Sequence, residues 1–442
     1  MRRRTGVAAL IGGASVVIGG ALLAAAGRRA DLTPAEQAAI RFVDAHDADA
    51  RTLLHRVVDI NSGTENVTGV RAVGDIFRAE FDALGFVTRW VDGAAWQRAG
   101  HLVADHPGPG ARLLLIGHLD TVFAPDSPFQ KLQLIDADTA RGPGVIDMKG
   151  GDVIILQALK ALASAGLLKT LNVVVVMTGD EEAPGRPLAT ARAALVEAAR
   201  GATAAIGFED GDGDPAHAIV ARRGTISWVL RVTGTPAHSS QIFSPEIGPG
   251  AIFEAARMLT AFRERLAAEA HLTFNPGAIV GGTTADLDPA ESKGSAFGKT
   301  NVVAEHAMVI GDLRALTPAQ FDHAMSVMQA IVAAPSAHTS ASLTFDDGYP
   351  PLAPAPGNDR LLAAYDAASR DLGLGAVSAV SPDKAGAADV AFVAGVVPMI
   401  IDAVGLKGHD DHTAGETADL RTLARQTKRA ALLFDRLSRG GG

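Results

Sequence analysis

The sequence predicts an α/β fold: a sheet flanked by helices, with a compact α+β module set into it. Three observations carry this. "ARLLLIG" and "LNVVVVMTG" are unbroken aliphatic runs of strand length, the pattern of strands covered on both faces. Between them "KGGDVIILQALKALASAG" has helical spacing, and strand–helix–strand repetition is the signature of an α/β sheet. After "AAIGFEDGDGDP" the texture changes, and "TISWVLRVTG" alternates like a half-exposed strand.

Taken in order, the chain opens with "MRRRTGVAALIGGASVVIGGALLAAAGRRADLT". Three arginines precede an uncharged stretch ending in small residues, so residues 1–30 are expected to be an export signal cut near Ala24 and Ala26, or an uncleaved membrane anchor. Either way Arg2, Arg3 and Arg4 stay on the cytoplasmic side, and the body is exported to the periplasm or beyond. A helical pattern then runs from Leu32 to about Asp59, with Thr33 as cap and Pro34 in the first turn. A second helix is expected from about Val70 to Leu84, followed by a strand in "GFVTRWV". The inserted module reads as residues 217–348: strands in "TISWVLRVTG", "NVVAEHAMVIGDLRAL" and "ASLTFDD", helices in "GPGAIFEAARMLTAFRERLAAEA" and "TPAQFDHAMSVMQAIVAA". Residues 31–216 and 349–442 would then be two parts of one sheet domain, the second with a helix near Asn358–Leu372 and a buried strand in "VVPMIID".

Composition excludes several classes. A chain of 442 residues with 48% hydrophobic and 20% charged residues buries real cores. A net charge of −9 leaves no basic footprint for nucleic acid. The absence of cysteine removes disulfides, thiolate metal ligands and cysteine nucleophiles together.

Ligands in open α/β sheets gather beyond the carboxyl ends of the strands. Here those ends are polar. "LLLIG" ends in His118 and Asp120; "VVVVMTG" in Asp180, Glu181 and Glu182; "AAIGF" in Glu209 and Asp210. The loop "RGPGVIDMKGG" carries Asp147, and "GLKGHDDHTAGE" supplies His409, His412 and Glu416. Carboxylates crowded within a few ångströms drive one another toward protonation, and divalent cations resolve the conflict. Two histidines with three carboxylates and no thiolate favour zinc or another borderline metal over calcium. Two ions about 3.5–4 Å apart, bridged by one carboxylate, would use all five groups. His118 then reads as a ligand, and Asp120 as the acceptor that fixes its tautomer.

"GHLDT", "GPGVIDMKGG", "TGDEE", "GFED", "PAHSS" and "GHDDHTAGE", in that order, resemble the co-catalytic zinc family of glutamate carboxypeptidase, acetylornithine deacetylase and succinyl-diaminopimelate desuccinylase. The resemblance spans essentially everything from residue 35 onward. It implies a zinc-exopeptidase-like mixed sheet with an inserted lid and dimerisation domain, and two divalent ions, zinc first and cobalt or manganese next. By the same resemblance His118, Asp147, Glu182, Glu209 and His412 would bind metal, Asp147 as the bridge followed by a cis peptide. Glu181 would be the general base with Asp120 behind His118, and His238 would reach a partner subunit's site. Asn301 and Arg314 would hold the substrate's carboxylate end. The implied activity is hydrolysis of an amide bond next to a free carboxylate, as in a carboxypeptidase or dipeptidase, acting on a small peptide or N-acyl amino acid as a homodimer. The alternatives are an N-acyl-amino-acid deacylase with the same chemistry and a non-catalytic, receptor-like protein of the same fold.

Two choices stay open: Glu209 or Asp210, with register favouring Glu209, and His412 or His409, with "HTAGE" favouring His412. "EDGDGD" fails as a calcium loop, because the sixth and twelfth positions from Asp210 are Pro215 and Ala221 rather than glycine and glutamate. Two departures from the family pattern bear on substrate choice: the prolines of "EEAPGRPLA", and Arg222 with Arg223 in "VARRG".

Overall fold

The computed structural model describes residues 31–289 and 293–440. The export signal or anchor expected over residues 1–30 lies outside them. Among the described residues no helix is long and apolar enough to cross a membrane.

The aliphatic runs pair side by side. A six-stranded mixed sheet has the order Val87–Asp92, Gly100–His106, Asn172–Thr178, Arg112–His118, Ala204–Gly207 and Ile400–Ile401. The last four are mutually parallel, and Gly100–His106 runs antiparallel to Asn172–Thr178. Period-two alternation sends Leu113, Leu115, Val173 and Val175 into one core, and Leu114, Ile116, Val174 and Val176 into another. The first core holds the helices Gly150–Ser164 and Arg421–Ser438; the second holds Leu195, Ala199 and Val390. Both faces are therefore dry, which is why these strands read as continuous rather than alternating. Each such side chain contributes about 1.5–3 kcal/mol by burial.

The helical stretch expected at Leu32–Asp59 is two helices, Pro34–Ala45 and Asp47–Val58. Thr33 caps the first through a reciprocal box with Glu36. The break falls at His46, whose φ of −116° and ψ of 20° are not helical and whose ring Nδ1 lies 2.9 Å from the Phe42 carbonyl oxygen.

The insert has its own antiparallel sheet, ordered Thr273–Gly282, His306–Ala315, Gly224–Gly234 and Thr339–Phe345. Helices Gly250–Leu266 and Pro318–Val332 cover one face, enclosing Trp228, Leu230, Met258, Phe262, Val309 and Met328. The strand His217–Ala218, counted with the insert above, belongs to the body: it pairs in parallel with Ser378–Ala379, and Ile219 exchanges main-chain hydrogen bonds with Asp402. The joint itself is a short antiparallel ribbon in which Arg222 faces Leu352 and Thr225 faces Tyr349.

Candidate metal centre

The strand ends deliver their polar residues to one place. His118 ends Arg112–His118, Glu181 and Glu182 follow Asn172–Thr178, and Glu209 follows Ala204–Gly207. Glycine precedes the polar tip twice for a steric reason. A Cβ at Gly117 would stand 2.1 Å from Asp152 Oδ1, and one at Gly207 would stand 2.3 Å from Asp402 Oδ1.

Asp147 stands at the centre. Its Oδ1 lies 3.0 Å from His118 Nε2 and its Oδ2 lies 2.9 Å from His412 Nε2. Glu209 Oε1 is 3.6 Å from His118 Nε2, and Glu182 Oε2 is 3.2 Å from His412 Nε2. His118, Asp147 and Glu209 can each offer one ligand atom within 4.8 Å of the others, as can Asp147, Asp411 and His412. Asp147 is common to both groups. The structure thus brings Glu209 rather than Asp210 beside His118, and His412 rather than His409 beside Asp147. Asp210 lines the adjoining cavity, and its main-chain oxygen accepts from Lys407 Nζ. The Asp147–Met148 peptide is cis, and His412 has a left-handed φ of 58°. Asp411 is an addition that the sequence reading passed over, although "HDDH" placed it beside His412.

The supports are buried acids. Glu416 accepts from the main-chain N–H of Gly144 at 2.8 Å, Ile146 at 2.9 Å and Asp147 at 3.3 Å, and so holds the loop that presents Asp147. Asp120 was expected to take the Nδ1 proton of His118 on its carboxylate. The closer acceptor is instead the Asp120 main-chain oxygen, at 3.1 Å against 3.5 Å for the carboxylate. The carboxylate is occupied elsewhere, accepting from Thr64 Oγ1 at 2.6 Å, Glu181 N at 3.0 Å and Glu182 N at 3.1 Å. Either contact leaves Nε2 of His118 facing Asp147 and Glu209.

The electrostatics show a shortage of positive charge. Burial pushes Glu182 up to about 7, with the Asp147 charge adding to it, and raises Glu181 and Glu209 well above the carboxylate range. Hydrogen bonds to Asp147 and Glu182 push His412 up to about 11. Burial works to lower His118, yet Glu209, Asp120 and Asp147 together raise it well above the imidazole range. Imidazolium charge is drawn in wherever carboxylates meet. Glu182 Oε1 is buried without a hydrogen-bond partner.

Two cavities meet at this cluster. One of about 440 Å³ is lined by Glu181, Glu182, Arg186, Arg314, Asp346 and Tyr349, among others. The other, about 220 Å³, adds Asp147, Glu209, Asp210, Arg222 and Lys384. Arg314 reaches the larger one from the insert while its Nε donates to Asp312 Oδ2 at 2.9 Å. His238 and Asn301 line neither cavity; they sit together on the insert, where Ser239 N donates to the Asn301 carbonyl and His238 bridges Val302. Arg222 is spent internally on Asp402 Oδ2 and the Gly386 carbonyl, each at 2.8 Å, and Arg223 donates to Thr273 and Asp383. Arg222 therefore lines the smaller cavity with its Nε and Nη1 already committed, while Arg223 lines neither cavity.

Fold and site together define an amide-bond hydrolase of the metallopeptidase class. The chain belongs to peptidase family M20/M25/M40, whose profile matches residues 114–436. It is 26% identical over 400 residues to carboxypeptidase G2 of Pseudomonas sp. (strain RS-16), covering 88% of this chain and 89% of that protein. Aminopeptidase PepT from Bacillus cereus superposes with a TM-score of 0.69 at 18% identity, over 88% of this chain and 98% of that one. The Bacillus subtilis YXEP protein, described as a dinuclear metal-binding peptidase, superposes with a TM-score of 0.60 at 15% identity, over 89% and 98%.

Proposed function

We propose that the chain hydrolyses the amide bond of a small peptide next to a free carboxylate, as a carboxypeptidase or dipeptidase. The convergence of His118, Asp147, Glu182, Glu209 and His412 around one shared carboxylate, with Glu181 alongside, carries the reading. The donor set suits a pair of divalent ions: its acids repel when ionised, its imidazoles are drawn into compensating charge, and Glu182 holds an unpartnered buried oxygen. His118 and Glu209 would hold one ion, His412 and Glu182 the other, with Asp147 shared and zinc the first choice. When bound, such ions acidify water and polarise the substrate carbonyl.

The chain's own residues do the rest. Glu181 is set beside the cage with its carboxyl shifted upward by burial, in the direction a general base needs near neutral pH. It takes the proton of the attacking water and passes it to the leaving nitrogen. Asp120 fixes the Glu181 and Glu182 main chain, and Arg314 offers a guanidinium to the substrate carboxylate across the larger cavity. We also place His238 in the site of a second copy joined through the insert. Its position outside this chain's cavities supports this, as do the exposed Phe243, Ile252, Phe253, Ile279 and Phe297 on the insert. The body is exported, on the strength of the N-terminal sequence. A screen of dipeptides and N-acyl amino acids with zinc, cobalt and manganese tests the reading. The parent should hydrolyse at least one class, and Glu181→Ala should lose about 10²–10⁴-fold in kcat; full hydrolysis by that variant would exclude the assigned base.

A further inference from the structure

The loop carrying Glu181 and Glu182 is fastened at an unexpected place. Behind it lies a buried hub: the Arg192 guanidinium, 1% exposed, donates to Asp180 Oδ1 at 2.6 Å, Asp389 Oδ1 at 2.7 Å and the Asp180 carbonyl at 3.0 Å. Asp389 also accepts from Thr178 Oγ1 at 2.7 Å, and Asp180 Oδ2 accepts from Gly185 N at 3.0 Å. The hub brackets the loop from residue 178 to residue 185. The hub also reaches Tyr349, whose hydroxyl accepts from Arg192 Nη2 at 2.7 Å and donates to the Glu181 main-chain oxygen at 2.8 Å.

Tyr349 is not part of the sheet that carries the loop. It lies in the ribbon where the chain leaves the insert and re-enters the body, its carbonyl accepting from Thr225 N at 3.0 Å. A second tie joins the same two segments: Leu188 N donates to Asp347 Oδ2 at 3.3 Å, and Arg186 lies 3.6 Å from Asp346. The segment Asp346–Tyr349 and the loop Glu181–Leu188 are therefore held together from both ends.

We propose that Tyr349 is a positioning residue for Glu181, so that the seating of the insert on the body sets the placement of the base. The inference rests on Glu181 being that base. The hydroxyl is the only group of Tyr349 that touches the Glu181 main chain in a hydrogen bond, while the ring packs edge-on against Phe392 at 4.9 Å. Tyr349→Phe removes the first contact and keeps the second. It releases one end of the Glu181 peptide and leaves the Arg192 Nη2 donor without this acceptor. A displacement of about 1 Å at a reacting group can cost on the order of 10²-fold in rate.

The test compares Tyr349→Phe, Phe392→Leu and Glu181→Ala in the full chain. Hydrogen exchange over residues 179–188 is read on metal-stripped protein; metal content, kcat and KM are read on metal-loaded protein. Tyr349→Phe should speed exchange in that segment by about tenfold, as expected for losing a buried tie. Its kcat should fall by about 10–10²-fold, with KM within about twofold and metal content unchanged. Phe392→Leu should keep kcat within about twofold of the parent, because the hydroxyl contacts remain. Exchange and kcat of Tyr349→Phe at parental values would overturn the proposal, as would an equal kcat loss in Phe392→Leu. If Glu181→Ala retains full activity, the assignment of the base fails instead, and this inference falls with it.

Discussion

Replacing Asp120 by asparagine probes how far the site depends on one buried carboxylate. The side chain is fully buried and accepts three hydrogen bonds, from Thr64 Oγ1, Glu181 N and Glu182 N. Asparagine keeps the shape and turns one oxygen into a donor. Thr64 can reverse its hydroxyl, but the two main-chain N–H groups face different oxygens, so one of them must meet an NH₂. A buried donor left unpaired costs about 1–3 kcal/mol, and the two surviving bonds each lose roughly 1 kcal/mol of charge assistance. The variant should therefore be destabilised by about 3–5 kcal/mol, a large part of the 5–15 kcal/mol typical of a domain. Urea unfolding of metal-stripped protein measures this. In loaded protein, metal affinity or kcat should fall by about 10–100-fold, as for other groups that orient ligands. A change below about 1 kcal/mol with parental metal affinity would refute the assignment, since three bonds to a buried anion cannot be that weak.

Other outcomes follow from the same geometry. Burial raises Glu416 to about 8, so its contribution to metal-stripped stability is full below its unfolded value of 4.5 and is lost as pH rises through about 8. In Glu416→Gln the amide NH₂ must meet a main-chain N–H, because Gly144 N and Ile146 N donate to different oxygens. The variant should therefore be about 1–3 kcal/mol less stable than the parent near pH 4, and the gap should narrow between pH 4.5 and 8 in urea titrations. Arg192→Met removes the guanidinium that both buried Asp180 and Asp389 face, and should cost about 3–5 kcal/mol in the same assay. Gly117→Ala drives a Cβ onto Asp152 Oδ1, and should lower stability by about 1–3 kcal/mol; a melting temperature equal to the parent's would contradict the packing.

The sequence discloses those parts of the fold whose residues answer to local physics. Leu113–Ile116 and Val173–Val176 are apolar at every position because both faces of the sheet are covered, so their continuity is itself a signal. The polar tips stood out for the same reason, since nothing about packing asks for His118 or Glu209 there. The hub was invisible because its members lie far apart in the chain: Arg192 is an ordinary helix-forming residue in "ATARAALVEAA", and Asp389 and Tyr349 are some 160–200 residues away. The helix Arg421–Ser438 was missed as well, although its alternation of Leu, Phe and Arg is strongly two-faced. The tie of Asp120 to the Glu181 main chain depends on the path of a loop that residue spacing does not describe.

Metal binding to stripped protein, followed by calorimetric titration, bears most directly on the cage. Two equivalents of zinc should bind per chain; Glu209→Ala and Glu182→Ala should each keep one, and Asp147→Ala should lose both. Two full-affinity sites surviving in Asp147→Ala, or a parent chain that takes up no divalent ion, would contradict it.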